Sequence, residues 1–168
     1  QIAKLSGIDP ATTYRALKEM ESKNEVLKKK RGNNIFYRLN IKNNSTVKYC
    51  ELSEIEARKG IFQKNPNLLP KIQELSKKID CIVLFGSFAR GEENPRDLDL
   101  LLLSHNKPSV KDINTIIKGT KISPLYMNFS EFKDKVKEKN AVVMDILKDA
   151  IVFYGEDIYW KLIRDSDS

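Results

Sequence analysis

Residues 98–104 read LDLLLLS, and this run constrains the fold more than any other stretch of the chain. In an extended chain, successive side chains point to opposite faces. Leu98, Leu100 and Leu102 therefore share one face, and Asp97, Asp99, Leu101 and Leu103 share the other. Two like charges held side by side open a strand that is otherwise hydrophobic. The pattern describes a polar site set on a rigid, buried base.

The neighbouring segments supply the rest of a sheet. CIVLFG (81–86) is a second short apolar strand, and KISPLYMN (121–128) is a third. Pro124 makes that third strand an edge strand or one bulged at the proline. A helix is expected from about 110 to 118, and another over 131–139 with Ser130 as its cap. AVVMDILKDAIVFYG (141–155) reads as a helix passing into a short apolar run. Strands alternating with helices predict an α+β or α/β domain, a small mixed sheet flanked by helices.

The first third of the chain has a different grammar. IAKLS (2–6) is a short helix, Gly7 supplies a turn, and Asp9 caps a second helix with Pro10 at its first position. That helix is expected to run to about Asn24. VLKKK (26–30), the turn RGNN (31–34) and IFYRL (35–39) then form a hairpin. Residues 44–79 read as helix broken at Pro66, with Leu69, Ile72, Leu75 and Ile79 on a buried face. The expected division is residues 1–43, a helical connector over 44–66, a second domain over 67–160 and a tail over 161–168. Because Gln1 falls within helical sequence, the natural N-terminus is expected to lie upstream.

Charge follows the same division. The 168-residue chain has a formal net charge of +7. Residues 1–48 hold eleven Lys/Arg against four Asp/Glu, whereas the remaining basic and acidic residues balance at 19 each. The whole excess thus sits in the first module, which points to a polyanionic partner. The single histidine, His105, gives no support to a His-dependent triad or a multi-histidine zinc site. Cys50 and Cys81 lack metal-ligand or redox spacing and are expected to be reduced, buried thiols. With no apolar run of about 20 residues and no signal peptide, the expected location is the cytoplasm.

The segment FGSFARGEENPRDLDLLLL (85–103) carries the chemistry. Adjacent carboxylates repel unless a cation lies between them, and several convergent oxygens suit Mg²⁺. Gly86 permits close backbone approach, and the Ser87 hydroxyl with nearby N–H groups can hold phosphate oxygens. Arg90 fits either a phosphate contact or a salt bridge with Glu92, Glu93 or Asp97. A phosphate cradle beside a carboxylate-bound metal is what nucleotidyl transfer requires.

Two resemblances give these readings names. IAKLSGIDPATTYRALKEMESKNEVLKKKRGNNIFYRL is similar to the winged helix-turn-helix of archaeal and bacterial regulators. That likeness implies a duplex-DNA partner for residues 1–48, with Thr12, Thr13 and Arg15 reaching a major groove and Lys28, Lys29, Lys30 and Arg31 reaching phosphates. LFGSFARGEENPRDLDLLL resembles the signature of the DNA polymerase β-like nucleotidyltransferases, most closely the minimal nucleotidyltransferase group. Gly86, Ser87, Ala89, Arg90, Gly91, Asp97 and Asp99 fit its pattern.

The second resemblance implies that Gly86 and Ser87 bind a nucleoside triphosphate, most simply ATP. It also implies that Asp97 and Asp99 act as catalytic residues holding Mg²⁺ or Mn²⁺. The acceptor would be a hydroxyl on a protein, as in antitoxin relatives that modify a partner toxin, or on a small molecule. A homodimer is left open. Two departures stand out. The spacer 88–96 has nine residues where ten are common, and KISPLYMN lacks the third carboxylate that active members place on that strand. Ser123 is the position expected beside the paired aspartates. The competing reading is a DNA-binding regulator whose second domain only senses a nucleotide or oligomerises.

Overall fold

The computed structural model describes residues 1–92, 96–106 and 109–166. It separates at Cys50/Glu51 into two compact units. The first unit is helix, helix, hairpin. Helix α1 (Ile2–Ser6) ends at Gly7, whose φ of 68° is the left-handed geometry a glycine adopts cheaply. Helix α2 (Pro10–Ser22) starts on Asp9, whose carboxylate accepts hydrogen bonds from the Ala11 and Thr12 N–H groups, both at 3.0 Å. Those bonds hold the Asp9 carboxyl below the usual carboxylate range, the Thr12 contacts contributing first. The helix stops at Ser22, short of the expected Asn24, because Asn24 itself takes a left-handed φ of 57° and turns the chain into β1 (Val26–Arg31). Strand β2 (Asn34–Leu39) pairs antiparallel with β1 across a two-residue turn.

A set of amides then secures the corner. Asn40 Nδ2 donates to Asn24 O at 2.9 Å, and Asn43 Nδ2 donates to Lys23 O at 3.1 Å. The Asn43 carboxamide oxygen accepts from Ser45 N–H at 2.8 Å at the start of α3 (Asn44–Lys64). Helix α3 thus runs through the division between units and through most of the segment expected as a connector.

The second unit is built on a four-stranded sheet of order β5-β4-β3-β6. Strand β3 (Cys81–Phe85) runs antiparallel to both β4 (Leu98–Ser104) and β6 (Ile151–Tyr154). Strand β5 (Ile122–Asn128) runs parallel to β4, which makes the sheet mixed. Pro124 sits on the edge strand, where its missing N–H costs no ladder bond.

The leucine run behaves as its alternation requires. Leu98, Leu100 and Leu102 pack with Ile72, Leu75 and Ile79 of α4 (Leu68–Leu75) and its exit, and with Ile113, Ile116 and Ile117 of α6 (Val110–Ile117). Leu101 and Leu103 pack on the other face with Phe132 of α7 (Phe129–Lys137), Val143 and Ile146 of α8 (Ala141–Asp149), and Tyr159 and Leu162 of α9 (Glu156–Ser166). Leu69, expected on the buried face of α4, is 40% exposed. Leu68 packs against the core in its place.

Two further expectations are corrected and one is sharpened. Helix α7 is capped by Asn128 rather than Ser130, because the Asn128 carboxamide oxygen reaches the Glu131 N–H at 2.8 Å. The apolar run after α8 is a true strand, β6, on the second edge of the sheet. Residues 161–166, expected as a tail, continue α9, which buries Tyr159 and Leu162. Helix α3 covers the free edge of β6 with side chains. Glu54 Oε2 accepts from Val152 N–H at 2.8 Å, and Arg58 Nη1 donates to Phe153 O at 3.1 Å. Exposed edges invite pairing with another chain, and this edge is occupied by a carboxylate and a guanidinium.

No helix among the described residues is long and apolar enough to cross a membrane. Both cysteines are free. Cys81, the first residue of β3, is buried, which pushes its thiol far above the usual range, while Cys50 is only half-buried.

Candidate active site

The candidate site lies where β3 ends and β4 begins. Phe85 is paired with Asp99, so the next residue, Gly86, lies beside the Asp99 carboxylate. There the chain turns into α5 (Gly86–Ala89), a single helical turn that no side chain caps. A Cβ placed on Gly86 would meet Asp99 Oδ2 at 2.5 Å, and the φ of +77° is strained for any L side chain. Gly86 is therefore demanded twice, by its backbone angle and by the carboxylate that fills the place of its side chain. Sequence reading gave this glycine the role of admitting a phosphate. In the structure, the group it admits first is Asp99.

Asp97, immediately before β4, is exposed, and Asp99 is half-buried on the face of β4 that also carries Leu101 and Leu103. Ser87 follows Gly86 within α5 and is half-buried. On the far side of β4, the parallel ladder places Ser123 directly opposite Asp99. Adjacent strands lie about 4.8 Å apart, and laterally paired residues share a face. A carboxylate at position 123 would thus stand beside the aspartate pair. Among the described residues, no third His, Cys, Asp or Glu joins Asp97 and Asp99 in a cluster able to hold a metal ion.

Arg90, just past α5, makes two ion pairs. Its Nε donates to Glu92 Oε1 at 2.6 Å, and its Nη1 donates to Asp149 Oδ2 at 3.3 Å. These bonds raise the guanidinium's already high pKa, the Glu92 contact first. Of the salt-bridge partners open to it in the sequence, Glu92 is used and Asp97 is not among the described residues' ion pairs, while Glu93 lies outside the described residues. Asp149, at the end of α8, was not foreseen; its 59-residue separation from Arg90 leaves no local signal. The Glu54 and Arg58 clamp on β6 was missed for the same reason.

In the first unit, hairpin register divides the basic residues between two faces. Directly opposed pairs share a face, so Lys29 with Phe36 and Leu27 with Arg38 lie on one side, and Lys28 with Tyr37 and Lys30 with Ile35 on the other. A broad groove on the hairpin is lined mainly by the first of these faces, Leu27, Lys29, Arg31, Phe36 and Arg38, with Lys28 and Tyr37 of the other face also reaching it. Lys28 Nζ lies 3.6 Å from Glu21 Oε1 on α2, so its charge is partly spent within the unit. Thr12 and Arg15 are exposed on the first turns of α2, with Arg15 Nη2 donating to Thr12 Oγ1 at 3.3 Å. Thr13 is half-buried, its hydroxyl directed to Ile8 O at 3.5 Å.

Comparison with known proteins bears on the second unit. The family model described as polymerase beta, nucleotidyltransferase matches residues 67–159. The chain is also 42% identical over 45 residues to a protein of Methanocaldococcus jannaschii named "Putative protein adenylyltransferase MJ0141". That stretch is 26% of this chain, and it spans about half of the relative, 46% of its length. No solved structure matches the chain. The family match covers more than half of the sequence and takes in the whole β3–β4 turn with its glycine, serine and paired aspartates: this chain belongs to the polymerase β nucleotidyltransferase family.

Proposed function

We propose that the chain transfers a nucleoside monophosphate, most simply AMP from ATP, to a hydroxyl acceptor at the turn formed by Gly86, Ser87, Asp97 and Asp99. The observation that carries this reading is the place left for the Asp99 carboxylate by the missing Cβ of Gly86. It supports reading the glycine of the turn and Asp99 as parts of one site. Two carboxylates two residues apart, one exposed and one half-buried, fit a hard divalent cation with positions left for water and phosphate. Mg²⁺ or Mn²⁺ held there by Asp97 and Asp99 would supply positive charge to the triphosphate.

The chain's own residues do the rest. Ser87 and the backbone of α5 hold phosphate oxygens and fix the direction of the α-phosphorus. The acceptor oxygen forms the new bond to that phosphorus, the bond to the bridging oxygen breaks, and pyrophosphate departs. With Ser123 beside Asp99, no carboxylate on β5 takes the acceptor proton, and it passes to solvent. The name borne by the M. jannaschii relative supports a protein hydroxyl as acceptor, a partner toxin being one such protein. Titration calorimetry of ATP with Mg²⁺ tests the site. Asp97→Asn with Asp99→Asn should abolish Mg²⁺-dependent binding while the fold survives; equal affinity in the double variant would overturn the assignment.

The first unit is proposed as a winged helix-turn-helix over residues 1–43. Thr12, Thr13 and Arg15 would contact duplex DNA together with Lys28–Arg31, and α3 would begin the connector to a nucleotidyltransferase domain over 67–160. Its support is the helix–helix–hairpin order and the concentration of positive charge. DNA affinity should fall steeply with salt, as counterion release requires. Ser123 opposite Asp99 favours a second reading, a DNA-bound regulator in which the nucleotidyltransferase domain binds nucleotide and turns over slowly or not at all. Incubation with labelled triphosphates, Mg²⁺ and cell lysate separates the two, since only the transferase labels an acceptor.

A further inference from the structure

The hairpin of the first unit has two unlike faces. Lys28 and Tyr37 share one, and the 3.6 Å approach of Lys28 Nζ to Glu21 Oε1 turns that face toward α2. The outer face carries Leu27, Lys29 and Arg31 from β1 with Phe36 and Arg38 from β2, the main lining of a groove of about 600 Å³. None of the described lining residues is acidic. Lys29 and Arg31 are exposed and have no carboxylate partner among the described residues.

Phe36 distinguishes this face from an ordinary solvated cluster of charge. Its phenyl ring is exposed although it has a large apolar surface to hide. Lys29 stands directly opposite it, where paired Cβ atoms lie about 5 Å apart, and Arg31 is its diagonal neighbour at about 7–8 Å. Arg38 follows two residues along β2, about 6.8 Å away. Among the described residues no cation lies over the ring and no second ring stacks on it. An open aromatic face is thus set among three cations. Paired bases within a duplex are already stacked on one another and leave such a ring unused. An unpaired strand uses both features, its base on the ring and its phosphates on the cations.

We propose that the outer face of the hairpin binds single-stranded nucleic acid, with one unpaired base stacked on Phe36 and the flanking phosphates on Lys29, Arg31 and Arg38. The inference rests on the nucleic-acid reading of the first unit and narrows it. The phosphates held by this face belong to a strand that is unpaired there, and Thr12 and Arg15 on α2 are left for duplex. Preference among bases should be weak, because every base offers a π-face.

The test uses the full chain and fluorescence anisotropy with two labelled probes. One is an oligothymidylate of about twelve nucleotides, within the span such sites cover, and the other a mixed-sequence duplex of the same length. Phe36→Ala should weaken oligothymidylate binding at least about fivefold, the low end of base–aromatic stacking, and leave duplex binding unchanged. Phe36→Trp should keep the affinity, and its indole should be quenched as the oligothymidylate binds; Trp160, present in both proteins, gives the baseline. Lys29→Gln with Arg31→Gln should reduce the salt slope for the oligothymidylate by about 1.4, two single-strand phosphates. Thr12→Ala with Arg15→Ala should weaken the duplex alone.

Undetectable oligothymidylate binding, wild-type affinity in Phe36→Ala, or an equal loss on the duplex would overturn the proposal. If the duplex is still bound through Thr12 and Arg15 in those cases, the duplex reading stands by itself. If the oligothymidylate is held through Phe36 and the duplex is not bound, the duplex reading falls and this one stands. An oligouridylate of the same length distinguishes the sources: tighter binding than the oligothymidylate assigns RNA, weaker binding assigns DNA, and equal binding assigns any unpaired strand.

Discussion

The two units of this chain solve the problem of folding by different means. In residues 51–168, all or nearly all of the surface of Leu75, Ile82, Val83, Leu84 and Leu100–Leu103 is removed from water. In residues 1–50, Val26 is the one buried apolar side chain among those described, while Leu5, Tyr14 and Phe36 are 80%, 56% and 53% exposed. What closes the first unit is polar: the Asp9 cap, the Asn40 and Asn43 amides, and Thr46 Oγ1 donating to Glu25 O at 3.0 Å. One unit stores its information in packing. The other stores it in charge and hydrogen-bond geometry, and should be far more tolerant of apolar truncation.

Core truncation gives the largest separation between them. Leu84→Ala or Leu101→Ala removes a fully buried side chain from the sheet and should cost about 2–5 kcal/mol in urea unfolding. Tyr14→Ala, on the exposed face of α2, should stay within about 1 kcal/mol. Similar losses at the two positions would break the contrast.

Glycines sharpen it next. Gly7 and Gly86 both take left-handed φ angles, 68° and 77°, but a Cβ at Gly7 meets nothing within 4 Å and one at Gly86 meets Asp99. Gly7→Ala should therefore pay only the backbone strain, about 1–2 kcal/mol of stability. Gly86→Ala pays that strain and also displaces the Asp99 carboxylate. ATP affinity in Mg²⁺, read by calorimetry, should fall by roughly a hundredfold, about 2.7 kcal/mol. Retained affinity would show that Asp99 need not occupy its present position.

Much of the second unit was legible because its signals are local. Alternation in LDLLLLS assigns two faces, and the structure keeps both. Pro124 reads as an edge, and β5 is one. The Gly-Ser turn and the two aspartates are close in sequence as well as in space. What could not be read joins distant segments. Arg90 to Asp149, Glu54 to Val152 and Arg58 to Phe153 are set by tertiary approach, and a charged residue looks alike whether solvated or clamped. Helix α9 went unread for a similar reason, and the boundary expected at 160 falls inside it. Its apolar residues, Tyr159 and Leu162, gain meaning only against Cys81 and Val83.

Ser123 tests how far geometry alone restores chemistry. It pairs with Asp99 across a parallel ladder on the edge strand and is exposed, so a longer side chain meets no packed neighbour layer. Ser123→Asp should raise nucleotidyl transfer about tenfold, worth about 1.4 kcal/mol in the barrier, with triphosphate affinity little changed. An increase in affinity with no gain in rate would assign position 123 to the metal alone. No change in either would place it outside the site.

The smallest expected effect concerns pH and again separates the units. The amides that close residues 1–50 do not titrate. The clamp on β6 does: Glu54 is half-buried, and its carboxyl is raised above the ordinary range, first by burial and then by the nearby Glu156. The Val152 N–H and Arg58 oppose that rise without cancelling it. A folded-state pKa above the unfolded value means that the folded protein binds the proton more tightly. Glu54's contribution is then fully present below its unfolded pKa and is lost as pH climbs through the folded one. Stability therefore falls with rising pH across that window, opposite to the behaviour of Asp9, whose lowered pKa removes stability as pH falls. Glu54→Gln keeps an oxygen acceptor for Val152 N–H while removing the titration. Urea midpoints of wild type and Glu54→Gln, measured from pH 4 to pH 7 on a scale of about one Glu titration, should diverge as pH rises, with wild type losing ground. Parallel curves would mean that solvent already screens the Glu54 charge at the sheet edge, and that the clamp acts through its hydrogen bond alone.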